Sequence, residues 1–300
     1  MKTLVLGAAG MVGSALMRRI PGAVGVTRKE VDLRDPSQVE HLFRTHRFNK
    51  VYMAAAKVGG IDANRSQPVQ FLHDNLMIQA NVMRSAHAHD VNRLIFLGSS
   101  CIYPRMATQP MNPNHLMSGK LEKTNSAYAM AKLAGIEMVN AYRSQYGRKW
   151  FSVLPTNLYG PGDNYDLKSS HVVAAMIRKI WEAKQSEDEY VEIWGTGTPL
   201  REFMHVDDMA DACVFLMESK YDSSVPVNIG TGTDISITNL AKLIADICDY
   251  KGSFMYNTSM PDGMMRKLLD VSVLHSMGWK HNIPLARGLE QTITLHYGKG

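Results

Sequence analysis

A glycine-rich turn close to the N-terminus constrains the fold of this chain more than any other feature. Gly7, Gly10 and Gly13 stand in GAAGMVG, between the apolar segment TLVLG and the helical pattern MVGSALMRRI. A strand, a tight glycine turn and a helix N-terminus together form a cradle whose free N–H groups can bind a pyrophosphate. The turn therefore predicts a dinucleotide-binding unit, with Met11 and Val12 at the helix N-terminus that faces the phosphates.

Strand and helix patterns alternate after this turn. In order they are the strand GAVGVT, the helix PSQVEHLFRTH, the strand KVYMAAA, a long helix over about 68–89, the strand RLIFLGSS, a helix over about 126–146 and the strand FSVLPTNLYG. Such alternation predicts a parallel sheet covered by crossover helices. The predicted fold class is α/β, with a Rossmann-type doubly wound parallel sheet.

The regular alternation ends near Gly160, where shorter and more mixed segments begin. HVVAAMIRKIWEAK and ISITNLAKLIADICDY have helical patterns, YVEIWG is a predicted strand, and PVNIGTG has the pattern of a buried strand that returns to the main sheet. We expect a cofactor-binding domain over 1–160 with a returning segment over about 201–230. The remainder, about 161–200 and 231–300, is expected to form a smaller, discontinuous C-terminal α/β domain.

Composition argues against several classes of protein. The longest apolar runs, such as LIFLG, are far shorter than the roughly 20 residues that a membrane-spanning helix needs, and the N-terminus lacks the pattern of a signal peptide. Cys101, Cys213 and Cys248 form no CxxC pair, which fits a reducing compartment and no metal site. The net charge of +5 comes from scattered Lys and Arg. We therefore expect a cytoplasmic protein that binds small anions, with no nucleic-acid partner.

The end of the second strand indicates which dinucleotide is bound. An acidic residue there binds the ribose hydroxyls of NAD, whereas an Arg suits the 2′-phosphate of NADP. GVTRKEVD places Arg28 at this position, which predicts NADP(H) as the cofactor. The alternative is that Arg28 and Lys29 form only a solvated strand end. Asp32, Leu33 and Ala55 fall where the adenine and ribose are expected.

A tyrosine and a lysine stand four residues apart on one predicted helix. Tyr128 and Lys132 occur in YAMAK, so their side chains share a helix face. A cationic Lys near a phenol is expected to lower the pKa of Tyr128, so that it can exchange a proton with a carbonyl oxygen. The helix follows the strand that ends in Gly98 and Ser99. This order matches the Ser–Tyr–Lys triad of short-chain dehydrogenases.

Motifs along nearly all 300 residues resemble those of one family. SSCIYP, AAAKVGGI, PTNLYGPGDNY, SSHVV, TPLREF with HVDD, and PDGMMRKLLDV are similar to the motifs of the GDP-L-fucose synthase family, within the extended short-chain dehydrogenases/reductases. The resemblance implies an NADP-dependent epimerase-reductase. In that family GDP-4-keto-6-deoxy-D-mannose is epimerised at C3 and C5 and then reduced at C4 to GDP-L-fucose. It also implies a homodimer built on the helices near 68–89 and 126–146.

The resemblance implies roles for five catalytic residues. Ser99 and Tyr128 would hydrogen-bond the C4 carbonyl oxygen, and Lys132 would hold the nicotinamide ribose. Cys101 matches the family's base and His171 matches its acid. A thiol and an imidazole have reference pKa values of about 8.5 and 6.5, so both can exchange protons near neutral pH. Taken without the resemblance, a lone Cys after a strand is more often a small buried apolar side chain than a base, and a lone His at a helix start is more often a cap or a solvated residue than an acid.

Further contacts of the family fall on residues present in this chain. The nicotinamide end of the cofactor site would comprise Pro155, Thr156, Asn157, Leu158 and His171. The sugar nucleotide would be bound by Lys179, Trp194, Arg201 and Asp262. Arg201 suits a pyrophosphate because its planar guanidinium can bind two phosphate oxygens at once. Trp194 suits base stacking, although an ordinary core tryptophan is the alternative, and Lys267 would add positive charge at the same cleft.

Other functions stay open at this point. A non-epimerising NADP-dependent 4-ketoreductase, or a 4-epimerase of another nucleotide sugar, needs the Ser–Tyr–Lys triad but has no use for Cys101 and His171. A cofactor-sensing binding protein is disfavoured because Tyr128 and Lys132 are both present. One departure from the family is that some members carry an Arg between the first two glycines, where this chain has two alanines. Arg28 would then bear more of the preference for NADP.

Overall fold

The computed structural model describes residues 2–260 and 262–298. The first half comprises β1 (Lys2–Leu6), α1 (Met11–Arg19), β2 (Val24–Val26), α2 (Pro36–Thr45), β3 (Phe48–Met53), α3 (Ile61–Ser66), α4 (Pro68–Ala88), β4 (Arg93–Leu97), α5 (Ser126–Tyr146), β5 (Phe151–Pro155) and β6 (Asn157–Tyr159). The second half comprises α6 (Val172–Gln185), β7 (Tyr190–Trp194), β8 (Leu200–His205), α7 (Val206–Glu218), β9 (Val227–Ile229), β10 (Asp234–Ser236), α8 (Ile237–Cys248), β11 (Ser253–Asn257), β12 (Arg266–Lys267), α9 (Ser272–Ser276) and α10 (Leu285–Tyr297).

The main sheet is parallel and has the strand order β2-β1-β3-β4-β5-β9. The chain goes from β1 to one side and then crosses back to β3 on the other side. In open parallel sheets a ligand binds outside the carboxyl ends of the strands at such a reversal. The cofactor site predicted at the end of β1 lies at this point, and the predicted Rossmann-type α/β fold is confirmed.

Helices cover both faces of this sheet, which explains why its strands are apolar throughout. Leu4 and Leu6 of β1 lie in a core that includes residues of α2, α4 and α5. Val5, between them, points to the opposite face and lies in a core with residues of α1 and α7. All three side chains are fully buried. Among the described helices, none is long and apolar enough to cross a bilayer.

A smaller α/β unit packs around a third core. Its sheet has the order β10-β8-β12, with β6 also paired to β8, and β11 pairs with β7 beside it. Apolar residues of α6, α8 and α10 fill its interior, among them Ile177, Leu240 and Leu289. Its segments come from several parts of the chain, as the predicted fold class requires.

The segment FSVLPTNLYG is two strands rather than the single strand predicted. β5 belongs to the main sheet, whereas β6 pairs with β8 of the smaller sheet. Thr156 stands between them, and it donates its N–H to Ile229 (2.9 Å) and its hydroxyl to the carbonyl of Glu202 (3.1 Å). The chain therefore changes sheets at Thr156, and Pro155 to Leu158 lie at the boundary between the two sheets.

Candidate active site

The glycine turn forms a cradle that side chains would fill. Gly7 has a φ of +80°, and a Cβ on it would lie 2.9 Å from the backbone of Ala55. A Cβ on Gly13 would lie 1.9 Å from the carbonyl oxygen of Gly7, so no other residue fits there. Gly10 closes the turn by donating its N–H to Gly7 (2.9 Å). Met11 and the residues after it then begin α1, whose free N–H groups fit a pyrophosphate.

The loop after β2 carries the residue predicted to select the cofactor. Arg28 is exposed at this loop. The Glu30 carboxylate accepts hydrogen bonds from the Thr27 N–H and hydroxyl, both 2.8 Å long. These bonds fix the turn on which Arg28 stands. An exposed guanidinium at the end of β2 is free to bind a 2′-phosphate.

Asp32 and Leu33 follow on the same loop in two different environments. Arg34 donates a 2.6 Å hydrogen bond to the Asp32 carboxylate, and this contact lowers the pKa of Asp32 to about 2. The side chain of Leu33 is buried in the core, and Asn81 holds its carbonyl oxygen. Asp32 therefore stays ionised and fixed by Arg34, and only the backbone of Leu33 remains for contact with a ligand.

The chain turns sharply after β4 and brings a serine next to a cysteine. Ser99 caps a short 3₁₀ turn, and its hydroxyl accepts a 3.1 Å hydrogen bond from the N–H of Cys101. Lys132 of α5 is 3% exposed and donates a 2.6 Å hydrogen bond to the Leu97 carbonyl at the end of β4. Its Nζ lies 5.8 Å from the ring centroid of Tyr128. Ser99, Cys101, Tyr128 and Lys132 are thus brought together.

The expectation of a lowered pKa for Tyr128 is wrong. Burial raises the pKa of Tyr128 and the nearby charge of Cys101 raises it further, although a hydrogen bond with Ser99 has the opposite effect. Burial also lowers the pKa of Lys132 to about 8, so its charge is itself disfavoured. The phenol therefore remains protonated at neutral pH, which suits a group that must give a proton to a carbonyl oxygen.

Cys101 lies beside a lysine from the C-terminal part of the chain. The Nζ of Lys267 is 3.3 Å from the sulfur. Burial by itself would raise the pKa of the Cys101 thiol, but Lys267, the Ser99 hydrogen bond and the charge of Arg201 together lower it. The thiol can therefore lose its proton more readily than an ordinary buried cysteine, whose pKa is raised.

His171 stands immediately before α6, and its side chain does not cap that helix. The loop that leads to it is joined to the loop after β3 by a 3.0 Å hydrogen bond from the Gly60 N–H to the Ser169 carbonyl. Desolvation lowers the pKa of His171, and the charge of Lys267 lowers it further. Lys267 thus acts on both residues that the sequence assigns to proton transfer at carbon.

Lys179 and Trp194 form a pair at the outer end of the smaller unit. The ammonium of Lys179 lies 5.4 Å from the Trp194 ring centroid and donates to the Glu192 carbonyl (3.1 Å). Trp194 is 51% exposed, so it is not a core tryptophan. An open indole face backed by a cation suits stacking against a nucleobase.

Arg201 and Asp262 are joined through the backbone. The Arg201 guanidinium donates to the Asp262 carbonyl (3.2 Å), while both carboxylate oxygens of Asp262 accept hydrogen bonds from Thr196 (2.7 and 2.9 Å). Asp262 thus holds the loop after β7 against the strand that carries Arg201. The charge of Arg201 lowers the pKa of Cys101, and burial lowers the pKa of Arg201 itself.

Comparison with known proteins identifies the family. The NAD dependent epimerase/dehydratase family matches residues 3–230. A GDP-L-fucose synthase of Escherichia coli K12 is 47% identical, over 97% of this chain and 95% of its own length. The chain belongs to the GDP-L-fucose synthase family.

Solved structures agree with this membership. A GDP-6-OMe-4-keto-L-xylo-heptose reductase from C. jejuni superposes with a TM-score of 0.93 at 32% identity, over 98% of this chain and 97% of its own. A GDP-L-fucose synthetase from Naegleria fowleri bound to NADP has a TM-score of 0.89 at 27% identity, over 98% and 92% of the two chains. Within the part of this chain that is described, no group of His, Cys, Asp and Glu side chains is arranged to hold a metal ion.

One residue that supports the site of this fucose synthase family member was not singled out from the sequence. The buried carboxylate of Glu202 accepts N–H groups from Thr231 (2.6 Å), Gly232 (2.7 Å) and Leu269 (3.0 Å). It thereby joins β8, the loop after β9 and the segment after β12. The only signal in the sequence is that Glu202, in TPLREF, stands directly before an apolar strand segment, where a charged residue is unusual.

Proposed function

We propose that this chain converts GDP-4-keto-6-deoxy-D-mannose to GDP-L-fucose, by epimerisation at C3 and C5 followed by NADPH-dependent reduction at C4. The observation that carries the proposal is the position of Cys101, whose sulfur lies 3.3 Å from the Lys267 ammonium and whose N–H donates to the Ser99 hydroxyl, close to Tyr128 and Lys132. A reductase needs only Ser99, Tyr128 and Lys132. A thiol with a lowered pKa at the same place supports a second reaction, in which a proton is removed from carbon.

Epimerisation uses the acidity of the carbons next to the C4 ketone. The Cys101 thiolate removes the proton from C3 or C5, and the electron pair of the broken C–H bond passes into an enolate. Hydroxyl groups of Ser99 and Tyr128 donate hydrogen bonds to the enolate oxygen and stabilise its charge. The protonated form of His171 then gives a proton to the opposite face of the same carbon and becomes the neutral imidazole, the form that its lowered pKa favours. Each cycle forms one new C–H bond for the one that it breaks, so the configuration changes without oxidation.

Reduction takes place at the same carbonyl group. NADPH, when bound, would supply the hydride to C4. The protonated phenol of Tyr128 gives its proton to the C4 oxygen. Lys132 would hold the nicotinamide ribose, and the wall against the nicotinamide would comprise Pro155, Thr156, Asn157 and Leu158. The pyrophosphate would lie on the turn of Gly7, Gly10 and Gly13, and Arg28 would hold the 2′-phosphate. NADP bound in the Naegleria fowleri relative supports this cofactor.

The substrate lies across the smaller unit in this proposal. Arg201 binds the pyrophosphate of the GDP-sugar, and Trp194 with Lys179 binds the guanine. Asp262 contributes by holding the loop beside Arg201. The main sheet with its helices forms the cofactor domain, and the smaller unit, which includes β6 and β8, forms the nucleotide-sugar domain.

We also propose a cytoplasmic homodimer. A thiol that acts as a base must stay reduced, which a reducing compartment ensures, and the three cysteines are all free. Val69 and Leu72 on α4 and Met130 on α5 are exposed apolar side chains, which supports an interface on these helices. Light scattering at micromolar concentration should give twice the 33.5 kDa chain mass, and a monomer would exclude the dimer.

The proposed function is tested by incubating the protein with GDP-4-keto-6-deoxy-D-mannose and NADPH. Loss of the reduced-nicotinamide absorbance measures reduction, and NMR identifies the sugar. GDP-L-fucose is the expected product. A product that keeps the manno configuration would make the chain a plain 4-ketoreductase, a reaction class represented by the C. jejuni reductase of similar fold.

A further inference from the structure

A cation from a distant part of the chain is aimed at the Cys101 sulfur. Lys267 Nζ lies 3.3 Å from Cys101 Sγ, across 166 positions of sequence. Within residues 2–260 and 262–298, this sulfur is the only hydrogen-bond acceptor of the ammonium, which forms no ion pair with a carboxylate. Since a surface lysine usually has its charge in water or beside an acid, this placement calls for a function.

The backbone next to Lys267 is held on both sides. Lys267 is the last residue of β12, which pairs in parallel with β8. The Leu268 N–H donates to the Gln109 side chain (2.9 Å), and the Leu269 N–H donates to the buried carboxylate of Glu202 (3.0 Å). These bonds fix the backbone position of Lys267, so its side chain holds the ammonium next to the thiol.

Other groups around the sulfur do not replace this contact. Besides Lys267 itself, the titratable or charged groups among the described residues that face Cys101 or Lys267 are Tyr128 of α5, Arg201 of β8 and His171 before α6. Tyr128 is neutral at pH 7, and Arg201 is engaged by the carbonyls of Leu200 and Asp262. Lys267 is therefore the cation in direct contact with the sulfur.

We propose that Lys267 holds Cys101 as a thiolate and fixes its sulfur for proton abstraction, as a positioning residue for epimerisation and not for reduction. This inference deepens the proposed function, because it assumes that Cys101 is the base. The ammonium compensates the charge of the sulfur before the reaction. When the C–H bond breaks, the proton goes to the sulfur and the electron pair goes to the enolate, and Lys267 keeps its own proton throughout.

Alkylation of the free protein with iodoacetamide between pH 5 and 10 tests the inference without substrate. Burial raises the pKa of Cys213 to about 12 and of Cys248 to about 11, so Cys101 should react first. Lys267→Met keeps the chain length and removes the charge, and Lys267→Arg keeps the charge. We expect Lys267→Met to react about tenfold more slowly at pH 7, with its profile moved to higher pH, and Lys267→Arg to recover most of the rate. Cys101→Ser measures the background from the other two cysteines.

An alkylation profile of Lys267→Met that coincides with that of the parent would overturn the inference. Melting curves and NADPH binding show whether the variant is folded, and Lys267→Gln takes its place if it is not. With substrate in D₂O, deuterium entry at C3 and C5 should fall about tenfold in Lys267→Met. A changed alkylation profile without formation of GDP-L-fucose by the parent would contradict the proposed function and leave the effect of Lys267 on the thiol intact.

Discussion

The Lys132 ammonium donates its 2.6 Å hydrogen bond to the carbonyl of Leu97, two residues before Ser99, which caps the turn that carries Cys101. This bond joins α5 to the end of β4. It therefore sets the position of Tyr128, one helical turn away on α5, relative to the serine and the cysteine. The same bond keeps a charged group where burial opposes the charge, so the site is assembled at some cost in stability.

Lys132→Met should stabilise the fold while it removes the residue assigned to the ribose. Burial lowers the pKa of Lys132 from 10.5 to about 8. The folded state therefore disfavours the ammonium at pH 7, and this penalty decreases as the pH rises above 8, where the folded protein no longer carries the charge. After subtraction of the lost hydrogen bond, we expect a gain of about 1 kcal/mol at pH 7 and less at pH 10. Denaturant titration at both pH values measures this gain in the free energy of unfolding. A variant that is less stable than the parent at pH 7 would contradict the prediction.

Cys101→Ser should separate epimerisation from reduction. A serine hydroxyl stays protonated at neutral pH and therefore cannot take a proton from carbon. Deuterium entry at C3 and C5 should fall by about 10²-fold to 10⁴-fold. Oxidation of NADPH should persist and give a product with the manno configuration. NMR of the sugar formed in D₂O measures both. Full deuterium entry in the variant would mean that another residue is the base.

Arg28→Ala should weaken the preference for NADPH over NADH. The exposed guanidinium contacts only the 2′-phosphate in our account, which NADH lacks. We expect the KM for NADPH to rise about tenfold and the KM for NADH to stay within about twofold. Lys29→Ala, the next exposed cation on the loop, is the matched control. Equal changes for the two cofactors would show that Arg28 shapes the loop and does not read the phosphate.

Glu202→Gln should destabilise the protein. The carboxylate accepts three backbone N–H groups, and an amide would turn its NH₂ towards at least one of them. We expect a loss of about 1–3 kcal/mol in the free energy of unfolding, measured by denaturant titration. Glu290→Gln on the exposed face of α10 should change it by less than about 0.5 kcal/mol. Because Leu269 is two residues after Lys267, a folded Glu202→Gln protein should also alkylate Cys101 more slowly.

Local patterns were enough to predict the main sheet and much of the site. The glycine turn, the alternation of strands and helices, and the long helices α4 and α5 follow from residues close together in sequence. β5 and β6 were not separated, because the change of sheet depends on bonds from Thr156 to Ile229 and Glu202, which lie far along the chain. α10, near the C-terminus, was not predicted either.

The electrostatics of the site could not be predicted in this way. The pair of Tyr128 and Lys132 suggested a lowered tyrosine pKa, but the burial of both residues outweighs their proximity. The contact of Lys267 with Cys101 spans 166 positions, so no local motif contains it. Burial and long-range charge are properties of the folded chain, and they decide which groups give protons and which take them.

The reaction in D₂O with GDP-4-keto-6-deoxy-D-mannose and NADPH tests most directly the claim that one cleft performs both reactions. NMR of the product should show GDP-L-fucose with deuterium at C3 and at C5, with one NADPH consumed per molecule formed. A reduced product that has hydrogen at both carbons and the manno configuration would contradict the account, because Cys101 and His171 would then have exchanged no proton with the substrate.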